Sequence, residues 1–185
     1  MGSLPASREP RHLVLVGMMG AGKSSVGAAV AARLGRPFLD TDEMVEATSG
    51  RSVRAIFAAE GEAAFRDREA EALASALASP EPAVIAAGGG AVLRDDNRAR
   101  LRSAVVVWLR ATPATLSVRT AGAGHRPLLD ADPAGTLARL AEERRPLYEE
   151  VADAVVDVDG LAPDAVADAV LRCAGAAAGA AGSGR

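Results

Sequence analysis

The sequence predicts an α/β domain in which a parallel sheet is covered by helices on both faces. Two observations carry this expectation. Short apolar runs recur at 12–16, 37–40, 83–87, 104–109 and 154–158, and they lack the polar alternation of a strand with one face in water. Stretches with helical spacing lie between them, so strand and helix alternate along the chain. A length of 185 residues suits one such layered domain.

Residues 1–11 contain no apolar signal core and read as a flexible tail. The first strand, His12-Leu13-Val14-Leu15-Val16, runs directly into Gly17-Met18-Met19-Gly20-Ala21-Gly22-Lys23-Ser24. This is the G-x-x-x-x-G-K-S pattern of a phosphate-binding P-loop. Its glycines let backbone N–H groups curl around phosphate oxygens, Lys23 reaches the β- and γ-phosphates, and Ser24 offers a hydroxyl to Mg²⁺. Lys23 is the lone lysine among 21 basic residues, so a compact ammonium rather than a planar guanidinium is wanted at this position. The small and apolar residues of helix 23–34 follow. A chance glycine-rich turn has no reason to sit between a strand and a helix.

The second strand ends in Phe38-Leu39-Asp40, and helix 42–48 starts from Asp40-Thr41-Asp42. Asp and Thr cap helices well, but two acids and a threonine exceed what a cap requires. Both carboxylates can face the cleft at the strand's carboxyl end. One can support Mg²⁺ through water. The other can accept hydrogen bonds, and a proton, from substrate hydroxyls. Helices 53–58 and 61–78 bring Phe57, Phe65, Arg66 and Glu69 together. Glu69 lies three residues after Arg66 and can hold its guanidinium in one pose, while apolar walls beside a fixed fork suit a small ring bearing a carboxylate.

Strand 83–87 opens into Gly88-Gly89-Gly90, whose successive amides can form a nest for a substrate oxygen. Helix 95–101 carries the densest basic run, at positions 94, 98, 100 and 102. That run contains Asp95 and Asp96 and no aromatic residue, so it reads as a solvated face. After strand 104–109 and helix 113–119, residues 121–133 lack periodicity and read as a mobile loop holding His125 and Arg126. An arginine there can swing over a transferring phosphate as the loop closes. Helix 134–149 carries Arg144 and Arg145 before Pro146. Strand 154–158 and helix 164–173 complete the domain, and the Ala/Gly-rich 174–185 reads as a disordered tail.

A net charge of −3 argues against nucleic acid or an anionic membrane as partner. The longest apolar stretch, 83–93, is too short to span a bilayer. The single cysteine, Cys173, excludes an internal disulfide, fits a reducing cytoplasm and reads as a buried thiol near the last helix. The chemistry narrows further. P-loop motors and switches need an acid at the end of a second apolar strand, yet strand 83–87 ends in glycines and strand 104–109 runs into Arg110. A small kinase that passes the γ-phosphoryl group of ATP to a bound acceptor fits better.

The assembled motifs resemble the shikimate kinase family. The matching stretches are Val16 through Gly27, Leu39-Asp40-Thr41-Asp42, Gly50-Arg51-Ser52-Val53, Ile56-Phe57 and Gly61 through Glu69. Gly88-Gly89-Gly90-Ala91-Val92, Arg126-Pro127-Leu128-Leu129 and Arg144-Arg145-Pro146-Leu147-Tyr148 follow in the family's order and spacing. Singly, only the P-loop is specific; together F-R-x-x-E, G-G-G and R-P-L-L are diagnostic. The resemblance implies a three-layer P-loop kinase fold with a five-stranded parallel sheet, an acceptor region near 41–70 and a lid near 121–133. It implies transfer of the ATP γ-phosphate to the 3-hydroxyl of shikimate, with Mg²⁺. The sequence itself marks no oligomer interface, so a monomer is expected, and the cysteine usage points to the cytoplasm. By this likeness ATP is bound by Gly20, Ala21, Gly22, Lys23, Ser24 and Ser25, with Arg119 stacking on adenine, the segment around Pro163 helping, and Arg126 stabilising the transferring group together with Lys23. Shikimate meets Asp42, Phe57, Phe65, Arg66, Gly88, Gly89, Gly90 and Arg144. Asp42 is the possible base, Glu69 orients Arg66, and Ser24 ligates the metal with Asp40 nearby.

Arg144 and Arg145 are adjacent, and Arg144 is the expected carboxylate ligand. A gluconate-type kinase would share the P-loop but lack the Phe65-Arg66…Glu69 and triple-glycine set. A regulatory module without transfer chemistry would be expected to have lost Lys23, Asp42 or Arg126, and all three are present.

Overall fold

Strands that are apolar on both faces must be covered on both sides, and the chain achieves this with one central sheet. The computed structural model describes residues 11–121 and 132–180. Strands β1 (Leu13–Val16), β2 (Phe38–Asp40), β3 (Val84–Ala86), β4 (Val105–Arg110) and β5 (Ala154–Asp157) pair in parallel in the order β2-β3-β1-β4-β5. They are linked by α1 (Lys23–Leu34), α2 (Thr41–Ser49), α3 (Val53–Leu77), a 3₁₀ turn at Ala91–Leu93, α4 (Asp95–Leu101), α5 (Pro113–Thr120) and α6 (Pro133–Val151). The final helix, α7, spans Pro163–Ala180.

The β1→β2 connection runs one way across the sheet and the later connections run the other way. Right-handed crossovers therefore put α1 on one face and α3, α4 and α6 on the opposite face. Helix α7 returns to pack beside α1, and α6 packs on β4. Leu13 to Val16, Val84 to Ala86 and Val105 to Leu109 are all buried, as expected for central strands. The edge strands differ. Position 155 of β5 is 40% exposed, because an edge strand has one neighbour and less helix above it.

The expected helices at 53–58 and 61–78 are both present within α3, divided at Gly61, whose φ of 81° and ψ of 177° are not helical. Two expectations are corrected. Helix α7 continues seven residues past Cys173 to Ala180 rather than ending in a disordered tail, since alanine is the best helix former and the helix is already docked on α1. Cys173 is half-buried rather than buried. Residues 1–10, most of the loop at 121–133, with His125 and Arg126, and residues 181–185 lie outside the described residues. No helix among the described residues is long and apolar enough to cross a membrane.

Gly27 sets how closely α1 approaches β2. A Cβ there would come within 2.5 Å of the Phe38 ring. Alanine is favoured over glycine in a helix by about 1 kcal/mol. Overpacking of a tight contact costs about 1–3 kcal/mol, so Gly27→Ala is expected to lower stability. A higher urea midpoint in the variant would contradict this.

Candidate active site

Strands β1 and β3 are neighbours whose following loops leave in opposite directions, which opens a crevice at their carboxyl ends. The loop after β1 is 17–22 and the loop after β3 begins at Ala87. A cleft of about 320 Å³ lies there, lined by Met19, Gly20, Gly22, Lys23, Ser24 and Ser25 from the first loop and helix, and by Ala86, Ala87 and Gly89 from the second. Asp40, Asp42 and Arg119 complete its wall. The strand-loop-helix context required of a P-loop is thus present.

Gly20 and Gly22 take φ values of 82° and 92°, a region that side chains rarely allow. Gly22 caps α1 with no side-chain hydrogen bond, so the first amides of α1 face the cleft without a covalently attached acceptor. Lys23 Nζ donates to the carbonyls of Gly17 and Met18 at 2.9 and 3.1 Å, which bends the ammonium back over the loop. Ala21 is buried beneath this turn and lines no part of the cleft.

The Asp40-Thr41-Asp42 segment divides three tasks. Asp40 caps α2 by accepting from the Asp42 N–H at 3.0 Å, and its other oxygen accepts from Ser24 Oγ at 2.6 Å. The cap and the cleft-facing acid are therefore one residue. Asp42 is exposed and also lines the cleft. Thr41 turns inward, fully buried, and its Oγ1 accepts from the Gly88 N–H at 2.9 Å. That bond corrects the expected amide nest, because the first of the three glycine amides is already occupied.

The three glycines are required for close approach. A Cβ on Gly88 would collide with Glu69 Oε1 and lie 2.8 Å from Asp42 Oδ1. One on Gly90 would overlap the Arg66 guanidinium, and one on Gly89 would press on Met19 N and Gly17 O at 3.3 and 3.4 Å. The turn is therefore wedged between the P-loop on one side and an acid–arginine cluster on the other.

In that cluster Arg66 donates from Nη1 to Glu69 at 2.7 Å, and from Nε and Nη2 to Glu62 at 3.2 and 2.9 Å. Its guanidinium also lies 5.2 Å from the Phe65 ring centre, and Phe57 and Phe65 pack with centroids 4.7 Å apart. Burial pushes the Glu69 carboxyl above the usual carboxylate range; Arg66 pulls it back, and the nearby Asp42 charge adds to the rise. Burial also works against the Arg66 charge, but Glu69 and Glu62 outweigh it and raise its pKa. Arg144 is buried and donates from Nη1 to the Gly89 carbonyl at 3.1 Å, while its Nε has no hydrogen-bond partner among the described residues. Arg145 instead lies on the surface against Glu142. The geometry thus separates two arginines that sequence left side by side.

Arg119 is exposed, lines the cleft and donates to the Val158 carbonyl at 3.2 Å. Pro163 begins α7 and does not line the cleft. Arg126 lies outside the described residues. Thr41, Glu62 and Tyr148 were missed as site residues. Tyr148 donates to the Gly89 carbonyl at 2.7 Å, and its signal was its place one helical turn after Arg144. Among the described residues no cluster of three or more His, Cys, Asp or Glu could hold a metal by itself.

Comparison with known proteins gives a consistent picture. A family model described as shikimate kinase matches residues 19–174. A shikimate kinase of Symbiobacterium thermophilum is 54% identical over 152 residues, covering 80% of this chain and 87% of that protein. One of Streptomyces coelicolor is 48% identical, covering 86% and 92%. The solved structure of an Acinetobacter baumannii shikimate kinase in complex with shikimate superimposes with a TM-score of 0.85 at 38% identity, covering 89% of this chain and 92% of that one. A Sinorhizobium meliloti gluconokinase, 24% identical with a TM-score of 0.58, shares the fold alone.

Proposed function

The chain belongs to the shikimate kinase family and has its activity, and from that premise we propose how its own residues carry the reaction. The observation that supports the assignment most is the double contact of Gly88–Gly90, which touches the P-loop on one side and Arg66, Glu69 and Arg144 on the other. A phosphoryl donor on the loop and an acceptor acid on the arginines then meet across one turn.

ATP is the donor. Its phosphates are assigned to the amides of Gly20 to Ser25 and the N-terminus of α1, with Lys23 leaving its loop carbonyls to meet the β- and γ-oxygens. Its adenine is assigned to Arg119 and the segment around Pro163. Shikimate places its carboxylate on Arg66 and Arg144 and its ring along Phe57, Phe65 and Gly88–Gly90. Asp42 accepts hydrogen bonds from the ring hydroxyls and takes the 3-hydroxyl proton as the oxygen attacks in line. Arg126, assigned from the R-P-L-L motif, neutralises the transferring group, and a lid at 121–133 excludes water that would otherwise hydrolyse ATP.

Ser24 and Asp40 fit Mg²⁺. They form an oxygen pair at 2.6 Å on the cleft wall, matching an ion that takes few protein ligands and keeps several waters. When bound, Mg²⁺ supplies charge neutralisation to the phosphates.

ADP release measured with and without shikimate tests the whole reading. Release is expected to depend on shikimate. Equal release with gluconate, or release independent of any acceptor, would overturn it.

A further inference from the structure

Tyr148 is the chain's single tyrosine and is 1% exposed. A ring that served only to fill the core could be phenylalanine, since a buried hydroxyl is unfavourable unless it finds a partner. Its partner is the Gly89 carbonyl, and that same oxygen accepts from Arg144 Nη1. The two donors stand one turn apart on α6, so one helix face grips one carbonyl twice. A carbonyl has two lone pairs, and with both occupied each donor is confined to one direction. The ring end is held as well. It stacks on Trp108 of β4, with centroids 5.5 Å apart and planes 20° apart, and Trp108 pairs with Val16 at the entrance to the P-loop. Burial raises the phenol pKa, so the hydroxyl stays a donor at any working pH.

We propose that Tyr148 is a positioning residue for the acceptor: its hydroxyl, anchored through Trp108 to the sheet, fixes the Arg144 guanidinium by way of the shared Gly89 carbonyl. The guanidinium plane is thereby fixed for the acceptor carboxylate, while its Nε is shut away inside the protein without a partner among the described residues. This rests on the reading of Arg144 as a carboxylate ligand.

Tyr148→Phe keeps the ring and its stacking and removes only the hydroxyl. The KM for shikimate is expected to rise about 3- to 10-fold, the range of one hydrogen bond, with kcat and the KM for ATP changed less than about twofold. Arg144→Met, which keeps the packed stem, is the second arm. In that background Tyr148→Phe is expected to add less than about a twofold change, because the group it positions is gone. An unchanged shikimate KM in Tyr148→Phe overturns the inference, as does an undiminished effect of Tyr148→Phe in the Arg144→Met background. A wild-type shikimate KM in Arg144→Met alone overturns the carboxylate assignment itself, so the two failures are told apart.

Discussion

Lys23→Ala is expected to lower kcat by about 10³-fold or more while the protein remains folded. The transferring phosphoryl group carries dispersed negative charge, and little covalent chemistry is left for the protein to do. Fixed positive charge at that point is therefore most of what the donor half contributes. Within the loop itself this charge comes from Lys23 and from the start of α1, and of these two only Lys23 can be removed by substitution. The Lys23 bonds to Gly17 and Met18 are to backbone carbonyls of the loop and belong to no helix or sheet ladder, so their loss should leave the far-ultraviolet circular dichroism spectrum unchanged. Lys23→Arg is a sharper version. Every other basic side chain is arginine, so an arginine here would be compositionally ordinary, yet a planar fork cannot turn within the loop as an ammonium can. A folded Lys23→Arg enzyme with turnover near wild type would contradict this account.

Arg66→Ala should act on the acceptor instead. Truncating one partner of a buried charged pair weakens binding by about 2–5 kcal/mol, so the shikimate KM is expected to rise about 100-fold with a much smaller loss in KM for ATP. Stability should fall as well, by about 3 kcal/mol, since Glu69 is left buried with its closest positive partner removed. The pH dependence of that deficit follows from linkage. A carboxyl whose folded-state pKa lies above its unfolded value favours folding at low pH, and that contribution is lost as pH rises through the folded pKa. Burial already raises Glu69, and removing Arg66 raises it further. The variant's shortfall in urea midpoint is therefore expected to be larger at about pH 8 than at about pH 5. Adding Glu69→Gln should restore much of the stability and none of the acceptor affinity, which separates folding from binding. Shikimate affinity at the wild-type level in Arg66→Ala would remove Arg66 from the acceptor site.

Much of this architecture was legible in the chain. Each strand lies within a residue or so of its apolar run, and α1 and α4 coincide with their expected spans. Those elements are written locally, in runs that a strand or a helical turn can read by itself. The break at Gly61 between two helical stretches was legible too, since glycine favours the positive φ found there. The misses share a cause. The alanines after Cys173 looked featureless, but a helix already docked on α1 extends through them. In the site, the P-loop and the paired acids could be named because their spacing carries their chemistry. Thr41 and Tyr148 could not, since each matters only through a glycine 47 or 59 residues away.

The chain by itself determined the inventory: one ammonium after a glycine turn, two acids beyond a strand, a run of residues without side chains, and two adjacent arginines of which only the family resemblance singled out Arg144. Tertiary structure alone decided the arrangement. The sheet order brings the loops after β1 and β3 side by side, and the seating of α6 turns Arg144 inward and Arg145 to water. The physical reason is range. Backbone propensity and side-chain periodicity report on neighbours within a turn, whereas the distance between a guanidinium on one helix and a carbonyl after a distant strand is set by the packing of every layer between them.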